Sequence, residues 1–188
     1  MELYSDTYYV RQIQAGNTAC YARLLDKYSR PVYALVFRLV RNREDAEELA
    51  QDVFVKAFRS LNTFKGESSF STWIYKIAYH TAISETRKKK HEFLAIDEAL
   101  IADVSEEKLA ETFGTNDENE QINRLEKALA KLSPDEQAII LFFYTEEKSV
   151  EEITAITGLS LSNVKTRLHR IRKKLFVLLN EIEEQENE

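Results

Sequence analysis

Along most of this 188-residue chain apolar residues recur every three to four positions, the spacing of amphipathic helices. The pattern predicts a short helix from about Asp6 to Ala15, ended by Gly16. Asn17 can cap a second helix through Tyr28, and Pro31 suits the first turn of a third that turns Val32, Leu35, Val36 and Leu39 inward. Asn42 opens a strong helix from Arg43 to Leu61, with Ala46, Leu49, Val53 and Ala57 on its apolar face. After a polar loop containing Gly66, a helix is expected from Phe70 to about Lys89. Its core face carries Trp73, Ile74, Ile77 and Ala78, and leaves Tyr75, Tyr79 and His80 outside.

Residues 91–121 are less periodic, with short helices allowed at Ile96–Ala102 and Glu106–Phe113. Near Ile122 the pattern strengthens again with a stripe of Leu125, Leu129 and Leu132. Ser133-Pro-Asp-Glu136 reads as the start of the next helix, and Ser149-Val-Glu-Glu152 as a capping box opening a shorter one with Ile153 and Ile156 inward. Gly158 supplies a turn, Ser160 a cap, and Val164, Leu168, Ile171 and Leu175 one apolar face of a last helix. No alternating strand pattern competes, and four Gly and two Pro are too few to break many helices. The expected fold class is all-α: two small helical domains joined by an acidic flexible linker.

Charge sharpens that division. The net charge of -6 averages unlike segments. Residues 91–121 hold ten acids and one Lys, and residues 176–188 hold five Glu and no cation. By difference, residues 1–90 carry +5 and residues 122–175 carry +3. Two mildly basic parts around an acidic linker suit nucleic acid better than the average does, because affinity follows local phosphate contacts. The expected division is 1–90, linker 91–121, 122–180, and an acidic tail 181–188. A lone Cys20 excludes an internal disulfide and a Cys-based metal site, in keeping with a reducing compartment. The longest apolar run, Ala138–Tyr144, is too short to cross a bilayer, and no signal-peptide pattern is present. The expectation is a soluble, cytoplasmic protein without membrane insertion, a monomer when free of partners.

Three constellations carry candidate chemistry. From Gly158 to Leu175 a turn leads into a helix with Lys165, Arg167, Arg170, Arg172, Lys173 and Lys174 and no acid, the layout of a helix-turn-helix whose second helix enters the major groove. On the Arg43–Leu61 helix, Asp45, Glu48 and Asp52 share one solvent face, which could dock a basic partner, bind a divalent metal or simply be solvated. On the Phe70–Lys89 helix, Tyr75, Tyr79 and His80 lie near a run of four cations, a pairing suited to unstacked bases. An all-α nucleotide pyrophosphohydrolase would need a second carboxylate helix opposite Asp45, Glu48 and Asp52, and the remaining acids of residues 1–90 are scattered. No Ser-His-Asp, Cys-His or His cluster stands out either. The chain therefore reads as non-enzymatic, with no catalytic residues, no cofactor and no metal. A stand-alone helix-turn-helix regulator is the alternative, but it leaves the acidic strip and the aromatic helix unexplained.

In this order the three constellations resemble the extracytoplasmic-function sigma factors. D-A-E-E-L-A-Q-D-V-F (Asp45–Phe54) is similar to the family's core-polymerase-binding segment, and F-K-G-E-S-S-F-S-T-W-I-Y-K-I-A (Phe64–Ala78) to its melting and minus-ten segment. L-S-P-D-E-Q (Leu132–Gln137) and the helix-turn-helix resemble its minus-thirty-five domain. The resemblance implies a transcription initiation factor that directs core RNA polymerase to promoter DNA. Asp45, Glu48, Gln51 and Asp52 would engage the polymerase. Lys65, Gly66, Glu67, Ser68, Ser69 and Ser71 would accept a flipped base, with Trp73 supporting the opened duplex and Lys76, Arg87 and Lys88 on phosphates. His80 stands where the family commonly has Asn, and Ser84 where Asp is frequent, so the minus-ten preference is not carried over. Ser162, Asn163, Lys165, Thr166 and Arg167 would read the minus-thirty-five element, with Arg170 on phosphate or polymerase. The family also implies an anti-sigma factor as partner and a linker route through the polymerase's RNA channel.

Overall fold

Nine α-helices and two short 3-10 turns make up the regular structure of residues 4–89, 98–105 and 118–187, which the computed structural model describes. The N-terminal part contains α1 (Asp6–Gln14), α2 (Tyr21–Val40), α3 (Arg43–Ser60) and α4 (Phe70–Lys88). A short α5 (Glu98–Ala102) lies between the domains. The C-terminal part contains α6 (Glu118–Lys131), α7 (Pro134–Tyr144), α8 (Val150–Thr157) and α9 (Leu161–Asn187). No strand occurs among the described residues. The expected helix at Glu106–Phe113 and most of the acidic linker lie outside them.

Helix starts follow the local chemistry. Asn42 Oδ1 accepts from Asp45 N–H at 3.0 Å, and Ser69 Oγ accepts from Thr72 N–H at 3.1 Å. Ser133 with Glu136 and Ser149 with Glu152 form reciprocal capping boxes on α7 and α8. Each box satisfies two backbone N–H groups that the first helical turn leaves without partners. Ser149→Ala removes one half of a box, so a loss of about 1 kcal/mol is expected, read as a lowered midpoint in urea unfolding.

Pro31 departs from the sequence expectation. It does not start a helix but sits inside α2, which runs unbroken for 20 residues. The missing N–H forfeits one bond, yet Tyr21, Leu24, Tyr28, Val32, Leu35 and Leu39 form one buried stripe through that point. Packing of that stripe against α3 and α4 outweighs the lost bond.

The core is continuous across both domains. Val32, Val36, Val53 and Ile74 belong to the same buried cluster as Ile139, Phe142, Ile153 and Leu168. The join is made where α7 and α8 pack on α4, and α7 on α2. Tyr75 and Tyr79, expected off the core face, are only 2% and 5% exposed. Helical periodicity places them correctly relative to the first domain; what covers them is the second domain.

The described residues 98–105 and 181–187 are also tied in. Ile101 and Val104 are buried, and Val104 packs with Val177 and Phe176 of α9. Helix α9 continues through residues 181–187, where Glu186 pairs with Arg124 at 2.6 Å and with Lys127 at 2.9 Å on α6.

Candidate polymerase and promoter interfaces

Helix α3 brings Asp45, Glu48, Gln51 and Asp52 to one side, with Asp45 half-buried and the others exposed. Two cations lie beside the strip. Lys89, 44 residues along and just past the end of α4, hydrogen-bonds Asp45, and Lys56 lies 3.9 Å from Asp52. No signal within the α3 sequence could have revealed Lys89. Exposed pairs of this kind contribute at most about 1 kcal/mol, so the strip remains available to a partner. It borders a groove of ≈470 Å³ whose opposite wall is α4, with His80, Thr81, Ser84, Glu85 and Lys88. Among the described residues no group of three or more His, Cys, Asp or Glu is placed to hold a metal ion.

The loop before α4 is shaped by aromatic packing. Phe64 lies 5.3 Å from Trp73 and 6.1 Å from Phe70, ring centre to ring centre. Gln14, a residue the sequence reading passed over, donates to the Leu61 and Phe64 carbonyls at 3.0 and 3.1 Å and holds the loop's first half. Gly66 has φ 77°, a left-handed conformation that L side chains rarely adopt, so the backbone rather than crowding calls for glycine there. Lys65, Gly66 and Glu67 are exposed, Ser68 is half-buried, and Ser69 is engaged in capping α4. Along α4, Trp73 and Ser71 are half-buried, whereas Lys76, His80, Arg87 and Lys88 are exposed.

Ser71 and His80 also meet the second domain. Lys148 Nζ donates to Ser71 Oγ at 2.6 Å. Partial burial, then the nearby Lys76 charge, lower the His80 pKa; a hydrogen bond to the Ile156 backbone works against them. His80 and Arg87 of α4 line a cleft of ≈460 Å³ together with Arg167 of α9. The chain thus draws together residues expected to serve two separate promoter elements.

The helix-turn-helix forms as its sequence predicts. Gly158 ends α8 at φ 78°, and Ser160 Oγ accepts from Asn163 N–H at 3.2 Å to cap α9. Val164, Leu168, Ile171 and Leu175 are buried, which fixes the rotation of α9. That rotation exposes Ser162, Asn163, Lys165, Thr166 and Arg170 and leaves Arg167 half-buried. Asn163 Oδ1 accepts from Arg167 Nε at 2.8 Å, so the two act as one polar unit.

Lys174 serves structure instead. It donates to Glu136 at 2.5 Å and ties α9 to α7. Burial alone would push the Glu136 carboxyl up, but hydrogen bonds from Lys174 and Ser133 and the Lys174 charge outweigh it and hold the carboxyl below its usual range. A depressed value in the folded state gives stabilisation that is complete above the unfolded value of about 4.3 and lost as pH falls through the folded value. Glu136→Gln is therefore expected to destabilise the protein at neutral pH and to flatten its acid unfolding below about pH 5, measured by thermal melts across that range.

Residues 24–92 match the Sigma-70 region 2 family model, and residues 122–175 match that of Sigma-70, region 4. The chain is 38% identical over 160 residues to RNA polymerase sigma factor YlaC of Bacillus subtilis, covering 81% of this chain and 87% of that one. It is 30% identical over 189 residues to the ECF RNA polymerase sigma-E factor of Haemophilus influenzae, covering 93% of this chain and 95% of the other. The chain belongs to the extracytoplasmic-function sigma factors. This sigma factor binds core RNA polymerase and directs it to promoters, and the region 2 match disfavours a stand-alone helix-turn-helix regulator. Sigma factors are transcription factors without a catalytic activity of their own. In fold the sigma factor resembles RpoE of Bartonella quintana, solved with the anti-sigma factor NepR, at TM-score 0.62 and 24% identity over 85% of this chain and 96% of that one. No helix among the described residues is long and apolar enough to cross a membrane.

Proposed function

We propose that this sigma factor divides its task among three surfaces. Asp45, Glu48, Gln51 and Asp52 on α3 contact core polymerase through a basic complementary surface. The loop Lys65–Ser71 and α4, with Trp73, Lys76, His80, Arg87 and Lys88, open and read the minus-ten element, the loop holding a base turned out of the stack. Ser162, Asn163, Lys165, Thr166, Arg167 and Arg170 dock α9 in the major groove at minus thirty-five. What chiefly supports the last of these surfaces is the rotation of α9, whose buried stripe leaves Ser162, Asn163, Lys165, Thr166 and Arg170 exposed at the start of the helix. An anti-sigma factor, of the kind seen with Bartonella RpoE, is the expected regulator. The protein works in the cytoplasm as a monomer when free of partners, and uses no catalytic group, cofactor or metal of its own.

The test is run-off transcription by core polymerase from a related bacterium on a fragmented genomic template, with and without the purified chain. New start sites sharing upstream elements at fixed spacing are expected. Start sites identical to those of core polymerase alone would overturn the assignment.

A further inference from the structure

Helix α1 reaches the loop before α4 through one side chain. Gln14 Nε2 donates to the Leu61 carbonyl at 3.0 Å and to the Phe64 carbonyl at 3.1 Å, 47 and 50 residues further along. A glutamine amide has two N–H donors, and both are committed to the segment that leaves α3. The Leu61 carbonyl also accepts from Phe64 N–H at 3.1 Å, so this short turn is closed locally as well. The glutamine fork adds what a local turn lacks, a tie to another helix.

Gln14 is itself held in place. Val10 and Ile13 bury α1 against the core. Ala15 N–H donates to the Arg11 carbonyl at 3.0 Å and Asn17 N–H to the Gln12 carbonyl at 2.9 Å, which closes the last turn of α1 around Gly16 at φ 102°. At the start of α1, Asp6 accepts from Lys27 at 2.7 Å and from the Tyr28 hydroxyl at 2.6 Å on α2. The Tyr28 ring lies 5.3 Å from that of Phe70, the first residue of α4. The loop therefore hangs between two fixed posts. At its entry Gln14 holds Phe64, whose ring lies 5.3 Å from Trp73, and at its exit Ser69 caps α4. Between the posts Lys65, Gly66 and Glu67 are exposed. Beyond its chain neighbours, no heavy atom lies within 4 Å of where a Cβ on Gly66 would stand, which leaves room beside the backbone.

We propose that Gln14 is a positioning residue for capture of the turned-out base. It fixes where the chain enters the loop and keeps the Phe64 ring on Trp73. A loop ordered in advance loses little conformational freedom when a base arrives, so more binding free energy is left to offset unstacking. Without the fork the competent fraction of the loop falls, and apparent affinity falls with it. This rests on the reading that Lys65–Ser71 holds a base turned out of the stack.

Trp73 is the chain's one tryptophan, so its fluorescence reports on the loop without DNA. Gln14→Met keeps the length of the side chain and removes both donors. Gln14→Glu keeps its shape and sets a carboxylate against two carbonyl oxygens, whereas Gln14→Lys restores a donor. In the free chain acrylamide should quench Trp73 faster in Gln14→Met, faster still in Gln14→Glu, and near the wild-type rate in Gln14→Lys. Fluorescence anisotropy with a degenerate single-stranded DNA oligonucleotide should show about tenfold weaker binding by Gln14→Met, equivalent to about 1.4 kcal/mol. Co-elution with core RNA polymerase should be unchanged, because neither Gln14 nor the loop belongs to the α3 strip. A purely structural contact would lower the melting temperature of Gln14→Met yet leave quenching and oligonucleotide binding at wild-type values, and that result would overturn the proposal. Faster quenching with no difference in oligonucleotide binding would uphold Gln14 as the brace of the loop and overturn the loop as the base-holding element.

Discussion

Asp45→Lys/Glu48→Lys/Asp52→Lys is expected to abolish co-elution with core RNA polymerase. The three carboxylates share one side of α3, and the substitutions change the local charge by six units. Placing like charges opposite a basic surface costs several kcal/mol, so binding should weaken by more than about a hundredfold, or about 2.7 kcal/mol. The fold should survive. Glu48 and Asp52 are exposed, and the partners lost inside the chain are the Lys89 contact with Asp45 and the loose Lys56 contact with Asp52. Exposed pairs are worth at most about 1 kcal/mol each, and a lysine near the start of α3 costs about as much again through the helix dipole. Far-ultraviolet circular dichroism should therefore match the wild type with a small drop in melting temperature. A triple variant that co-elutes like wild type would remove the strip from the polymerase interface. Single reversals should grade the effect, with Asp45→Lys the mildest because Lys89 already neutralises that carboxylate.

Phe142→Ala is expected to have the largest effect on stability. Phe142 is 0% exposed and touches the rings of Tyr75 and Tyr79 on α4. Truncating a buried phenylalanine costs about 3–5 kcal/mol, because the void only partly collapses. For a chain of this size that corresponds to a fall in melting temperature of roughly 2–4 °C per kcal/mol. The position also tests whether the two domains unfold together. A continuous core predicts one transition in the wild type and a splitting into two in Phe142→Ala, where the domains lose their shared contact. Two well-separated transitions already in the wild type would show that the join contributes little.

The helices and the sigma-factor constellations were legible in the sequence because they depend on near neighbours. Asn42, Ser133 and Ser149 cap helices through bonds to the third residue on, so three-residue spacing is enough to find them. The apolar stripe of α9 repeats at helical spacing, and so Lys165, Thr166 and Arg170 had to face outward. Pro31 sits inside α2 rather than at a helix start because burial against α3 and α4, which local sequence does not show, outweighs its preference for a first turn.

Sequence by itself determined where most helices begin and end, that two basic segments flank an acidic one, and which side chains α3 and α9 turn outward. Tertiary structure alone decided how the segments meet. It placed Lys89 on Asp45, Gln14 on the loop before α4, and Glu186 beside Arg124. It also buried Tyr75 and Tyr79 beneath region 4. These contacts join residues 44 to 71 positions apart. Helical periodicity fixes the direction of a side chain on its own helix, whereas the partner it meets depends on how whole helices pack. A tyrosine on the outer face of one domain reads as exposed until the other domain closes over it.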